Sequence, residues 1–145
     1  MTESTTSVFS RIASGELDSV AVESEPYCLS FIPIDPVTPG HVIVASRRQV
    51  ANWSDLEDPE LAAMSAMAKR ISAALTELYG APKVGLLIAG FTVPHAHMHV
   101  APIWESADIA ASASADTPMS LEQRVEIGLA LREILNRDAD GNSLA

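Results

Sequence analysis

Residues 93–103 read Val-Pro-His-Ala-His-Met-His-Val-Ala-Pro-Ile, and they hold three of the chain's four histidines, at positions 95, 97 and 99. Successive side chains of a β-strand point to opposite faces. A spacing of two therefore predicts one row of imidazoles, His95, His97 and His99, backed by Ala96, Met98 and Val100. With the apolar face buried, three polar rings would look out at whatever lies in front of the sheet, where water or a ligand can satisfy them. Core packing alone does not account for such a row.

The rest of the chain must supply the core behind it. At 145 residues, 48% of them hydrophobic, the chain is long enough for one domain that needs neither disulfide nor metal to fold. Cys28 is the only cysteine, so no internal disulfide can form, which suits a reducing compartment. The amino-terminal residues have no signal-peptide pattern, and no apolar run approaches the roughly 20 residues of a membrane helix. The expectation is a cytoplasmic protein with no membrane partner. Nine basic against nineteen acidic residues, a net charge of −10, also argue against nucleic acid as a partner, because a phosphate backbone repels such a surface. A small phosphorylated ligand is compatible with that charge, since a local site can differ in sign from the whole.

Periodicity predicts the elements. Val8, Phe9, Ile12 and Ala13 share one helical face ahead of Gly15. Val20–Glu23 and Tyr27–Ile32 read as two strands joined by a turn at Ser24-Glu25-Pro26. Residues 33–40, with three prolines and a glycine, form a rigid loop that leads into a β-branched strand at His41–Ser46. Asp58 as N-cap and Pro59 open a long amphipathic helix carrying Leu61, Met64, Ala68, Ile71, Leu75 and Leu78, closed by Gly80. Val84–Gly90 reads as a strand, tightly linked to the histidine strand. Residues 105–118 lack a period and read as a loop, while Ser120-Leu-Glu-Gln123 has the form of a capping box. The boundaries expected are a flexible amino terminus at 1–7, a domain at 8–103, a surface loop at 104–119, a helix at 120–136 and a frayed tail at 137–145. The class is α+β: an antiparallel sheet of about five strands, with one long helix packed on it, a C-terminal helix, and the helices on one side.

Imidazole titrates near neutrality and can act as nucleophile, base, acid or metal ligand. From the pattern alone three readings compete. Each ring can be structurally satisfied; the row, with His41, can hold zinc or copper; or one ring can attack phosphorus while its neighbours bind the oxygens and manage the leaving group's proton.

His95-Ala-His97-Met-His99-Val-Ala resembles the signature of the histidine triad (HIT) family of nucleotide hydrolases and transferases. Val8-Phe9-Ser10-Arg11-Ile12, Gly15-Glu16-Leu17, Phe31 to Ile34 and Pro39-Gly40-His41-Val42-Ile43-Val44 resemble that family's amino-terminal half in order. The resemblance spans about residues 8–103. It implies a HIT-like fold in which His97 attacks an α-phosphate and carries a covalent nucleotidyl intermediate, as in nucleoside phosphoramidases. His95 and His99 would orient it and contact phosphate, and His41 would support the row. Phe9, Ile12, Val22, Phe31 and Ile34 match positions that enclose base and sugar. The family works without a catalytic metal or other cofactor and is commonly a homodimer, joined through the long helix and an adjoining strand.

Four departures from the family pattern bear on substrate. Ser7 and Ser10 stand where some bacterial members have the paired cysteines of a structural zinc site, so no such metal is expected. Gln49 replaces a further histidine. Pro33 replaces an acid that holds the ribose hydroxyls, a task left to Asp35. The segment Ile88–Pro94 is short and lacks the usual asparagine and glutamine, leaving Thr92, beside Val93, as its one hydroxyl near the phosphate. These features resemble a form of the family met in actinobacteria. The implied activity is nucleotidyl hydrolysis or transfer at a nucleotide-type small molecule; the alternative is a catalytically weak nucleotide-binding or partner-binding module.

Overall fold

The computed structural model describes residues 5–106, 108 and 119–142. Most of the expected 104–119 loop, part of the amino-terminal segment 1–7 and the end of the tail lie outside them. Five strands form one antiparallel sheet: β1 (Val20–Ser24), β2 (Cys28–Ile32), β3 (Val42–Ser46), β4 (Lys83–Leu87) and β5 (His97–Ile103), in the spatial order β1-β2-β3-β5-β4. Among the described residues the sheet is joined by helices α1 (Val8–Ala13), α2 (Asp58–Tyr79) and α3 (Leu121–Asn142) and a short 3-10 turn at Trp53–Asp55.

Strand alternation sorts the sheet into two faces. Cys28, Ile32, Val42, Val44, Met98 and Val100 pack under α2 and α3, against Met64, Met67, Ile71, Ala74, Leu75 and Leu131. Burying each of the larger aliphatic side chains contributes about 1.5–3 kcal/mol. The other face carries Leu29, Phe31, Ile43 and Ala45 and is covered by Phe9 of α1. The helices therefore do not all lie on one side: the shortest one crosses to the histidine face. Gly128 lets α3 approach β1, since a Cβ there would sit 2.7 Å from Val20 Cγ1.

Several boundaries shift for local reasons. The N-cap of α2 is Glu57, one residue before Asp58. Glu60 reaches back to accept the Glu57 N–H at 2.7 Å while also taking two bonds from Arg48, at 2.7 and 3.1 Å. Strand β4 ends at Leu87, and the link to β5 runs over residues 88–96, so it is a loop rather than a tight turn. Helix α3 begins with the capping box, Gln123 N–H to Ser120 Oγ and Ser120 N–H to Gln123 Oε1, each 3.1 Å. It continues to Asn142, past the expected stop at 136, and Arg137 pairs with Glu77 of α2 at 2.6 Å. No described helix is long and apolar enough to cross a membrane.

Candidate functional site

A cleft of about 600 Å³ opens on the α1 face of the sheet. Phe31, Ile43, His97 and His99 contribute to its floor, Val8, Phe9 and Ile12 to one wall, and residues 89–93 to another. Its third boundary comes from Asp18, Ser19, residues 32–35 and Arg124.

Only two histidines of the expected row belong to the strand. His97 and His99 lie in β5, opposite Ala45 and Ile43 of β3. His95 precedes the strand, and its ring is completely buried rather than lining the cleft. It was expected to contact phosphate; instead both of its nitrogens are occupied within the protein. Nε2 lies 2.6 Å from the Ser46 carbonyl, which can only accept, so Nε2 carries the proton. Nδ1 then accepts from the Ser7 hydroxyl at 2.5 Å.

The same logic fixes the other rings. His97 Nδ1 lies 2.6 Å from the His95 carbonyl and must donate to it, which leaves the neutral ring's lone pair on Nε2. Val37 N–H donates to His41 Nδ1 at 3.2 Å, so His41 carries its proton on Nε2 and donates to His99 Nδ1 at 3.0 Å. His99 in turn keeps Nε2–H as its free donor. One ring thus offers a lone pair and its neighbour an N–H, with ring centroids 4.8 Å apart. Phe9 sets its ring edgewise to His97 at 4.7 Å and restricts where that imidazole can turn.

Burial holds these rings neutral. It is the largest cause of the lowered pKa of His41, to about 3, with the charges His99 and His97 would carry adding to it. His99 is lowered to about 4 by burial and by His97. Burial also lowers His95 and His97, each opposed by its bond to a backbone carbonyl. A neutral His97 is the nucleophilic form.

Ser7 and Ser10, where the resemblance places the paired cysteines of a structural zinc site in some bacterial members, converge on His95 Nδ1, and Gln49 bonds to both serines. The three are bonded to one another: Ser10 Oγ–H to Gln49 Oε1 at 2.9 Å, Ser7 N–H to the same oxygen at 2.7 Å, and Ser10 N–H to Ser7 Oγ at 3.0 Å. Among the described residues no group of three or more His, Cys, Asp or Glu side chains is placed to hold a metal ion.

Phe9, Ile12, Phe31, Ile34, Asp35, Thr92 and Val93 line the cleft, together with His41. Val22 does not. It shares the face of Val20 and is buried in the core beneath the helices, in the stretch of β1 where the pairing with β2 shifts register. Asp18, Ser19, Phe91 and Arg124 escaped the sequence reading. The first two precede a strand without any pattern, Phe91 lies in a loop, and Arg124 reads as an ordinary polar position of a helix.

A family model described as the HIT domain matches residues 14–105. The chain belongs to the HIT family. Over 84 residues this HIT protein is 36% identical to the nitrilase and fragile histidine triad fusion protein NitFhit of Caenorhabditis elegans, a match covering 54% of the chain and 19% of that much longer protein. It is 27% identical over 96 residues to an adenosine 5'-monophosphoramidase of Schizosaccharomyces pombe, covering 66% of the chain and 72% of the relative. The fold matches the crystal structure of a zinc-bound histidine triad family protein from Mycobacterium smegmatis with a TM-score of 0.73, at 25% identity, over 92% of this chain and 96% of that one. Relatives of the chain thus include nucleotide hydrolases.

Proposed function

We propose that this HIT protein is a nucleotidyl hydrolase or transferase of the phosphoramidase kind, cleaving at the α-phosphate of a nucleoside phosphoramidate or related conjugate. The observation that carries this reading is the bond from His97 Nδ1–H to the His95 carbonyl, which leaves a lone pair on Nε2 of a ring lining the cleft. In the first step Nε2 attacks phosphorus; the P–Nε2 bond forms as the bond to the leaving amine breaks, and the amine departs with a proton drawn from solvent. Water then attacks the same phosphorus, breaks the P–Nε2 bond and releases the nucleoside monophosphate. His99 Nε2–H donates to a non-bridging oxygen as charge shifts onto it, with His41 holding that ring in the donating tautomer.

A cleft of about 600 Å³ is within the range of small-ligand sites. Phe9, Ile12, Phe31 and Ile34 supply apolar surface for base and sugar. Asp35 supplies a carboxylate for the ribose hydroxyls in place of Pro33, and Thr92 and Val93 flank the phosphate. The protein acts in the cytoplasm as a homodimer, and residues 8–103 form the unit that carries the chemistry.

Turnover of adenosine 5'-phosphoramidate and of a dinucleoside polyphosphate, followed by phosphorus NMR, tests the reading. The expected result is cleavage that His97→Ala reduces on the order of a thousandfold or more, with a nucleotide trapped on His97 in samples kept from acid. Nucleotide binding without turnover beyond the His97→Ala control would instead make the protein a binding module.

A further inference from the structure

The cleft continues beyond the region that a phosphate at His97 would occupy. From β5 it crosses β3 and β2, two strand spacings or about 10 Å, and reaches the segment after β2 where Arg124 stands. Arg124 is anchored there by backbone: its Nε donates to the Met119 carbonyl at 3.3 Å, and Met119 N–H donates to the Ile34 carbonyl at 3.2 Å. It is the only lysine or arginine among the described residues lining the cleft, and its two terminal amino groups have no described partner. A guanidinium whose Nη groups are free presents two parallel N–H donors in a rigid plane.

We propose that Arg124 selects guanine, its fork donating to the adjacent O6 and N7 acceptors of the base. This rests on the reading that the phosphate sits at His97, because only then does the base extend toward Arg124. Apolar side chains of Phe9, Ile12, Phe31 and Ile43 border the cleft before Arg124 is reached and suit the flat faces of a base. Guanine offers two neighbouring acceptors on one edge, whereas adenine places its N6 amino donor beside N7, and donor would meet donor. A phosphate on the ribose fits less well. It would bring further negative charge into a cleft that also carries the Asp18 and Asp35 carboxylates, on a chain of net charge −10.

The test compares kcat/KM for guanosine and adenosine 5'-phosphoramidate in the full chain, its Arg124→Met variant and its Arg124→Lys variant, which keeps the charge but loses the fork. The wild type is expected to favour guanosine on the order of ten- to a hundredfold, the discrimination of a bidentate guanidinium–guanine pair. The ratio should fall to about threefold or less in both variants. A wild-type ratio near one or below it, or a guanosine preference that Arg124→Met leaves intact, overturns the proposal. If the wild type cleaves neither compound, the hydrolytic reading fails separately. Calorimetric binding of GMP, AMP and adenosine 3',5'-bisphosphate then decides: a GMP preference lost in Arg124→Met supports the base contact, whereas equal binding of GMP and AMP, or tightest binding of the bisphosphate, overturns it.

Discussion

His41, His95 and His97 each have one nitrogen whose role is dictated by a backbone group, and His99 takes its tautomer from His41, so the remaining nitrogens follow. Ser7 is the least obvious member of this set, because it caps α1 and also satisfies His95 Nδ1. Ser7→Ala removes that donor from a buried acceptor and is expected to cost about 1–3 kcal/mol in urea unfolding. Acid should weaken the fold through the same rings. Their folded pKa values lie below the ordinary histidine value of 6.5, so between the two values the unfolded chain binds more protons than the folded one. Stability is then fully present above about pH 6.5 and is lost as pH falls toward 4. For His41, lowered to about 3, the loss at pH 5 is about 2 kcal/mol. Unfolding midpoints measured at pH 7 and pH 5 check this, and a His41→Gln variant should show a shallower decline. The histidines themselves were legible from a period of two. The capture of His95 by Ser7 was not, because the partners lie 88 positions apart and no local pattern links a serine to a ring that leaves its row.

Among the elements, the loop between β2 and β3 does most to fix the cleft, because it ends at Gly40 and delivers His41 beside His99. Gly40 has a φ of 98°, and a Cβ added there would lie 2.6 Å from Tyr79 Cε2 and 3.1 Å from both Leu75 Cδ2 and Pro102 Cγ. Gly40→Ala therefore combines a left-handed backbone penalty of about 1–2 kcal/mol with overpacking of about 1–3 kcal/mol. The thermal midpoint should drop accordingly, by more than in a control Ala89→Ser on the open wall of the cleft. Long, strongly periodic elements were readable: α2 shows its apolar stripe and β3 its run of branched residues. Their ends were less so, because hydrogen bonds set them. Glu60 pulls the start of α2 back to Glu57, and the Ala89–Val93 segment departs from β4 to line the cleft. The side of the sheet expected for α1 was misread, since a six-residue apolar stripe does not say which side it will cover.

At the scale of the whole molecule, strand order leaves β4 at the edge of the sheet, bonded on one side only to β5. Leu86 on that strand is 47% exposed, beside a groove formed with Ser65, Lys69 and Ser72 of α2. An open edge bearing an exposed leucine, with no proline in Lys83–Leu87, is a surface that invites another strand. The proposed homodimer would use it, continuing one sheet into the next. Sedimentation equilibrium at micromolar concentrations should give twice the chain mass of 15.4 kDa. Leu86→Lys should shift the mass toward the monomer by placing a charge at the centre of the contact. Two chains of net charge −10 also repel one another, so association should tighten as ionic strength rises from about 0.01 to 0.15 M, where the screening length falls from about 30 to 8 Å. A wild-type chain that stays at monomer mass at 50-fold higher concentration and in high salt would show that the β4 edge is protected in some other way. Neither Arg124 nor the histidines lie on this edge, so the cleft chemistry of a Leu86→Lys monomer reports whether pairing the sheets matters to the site or only to the assembly.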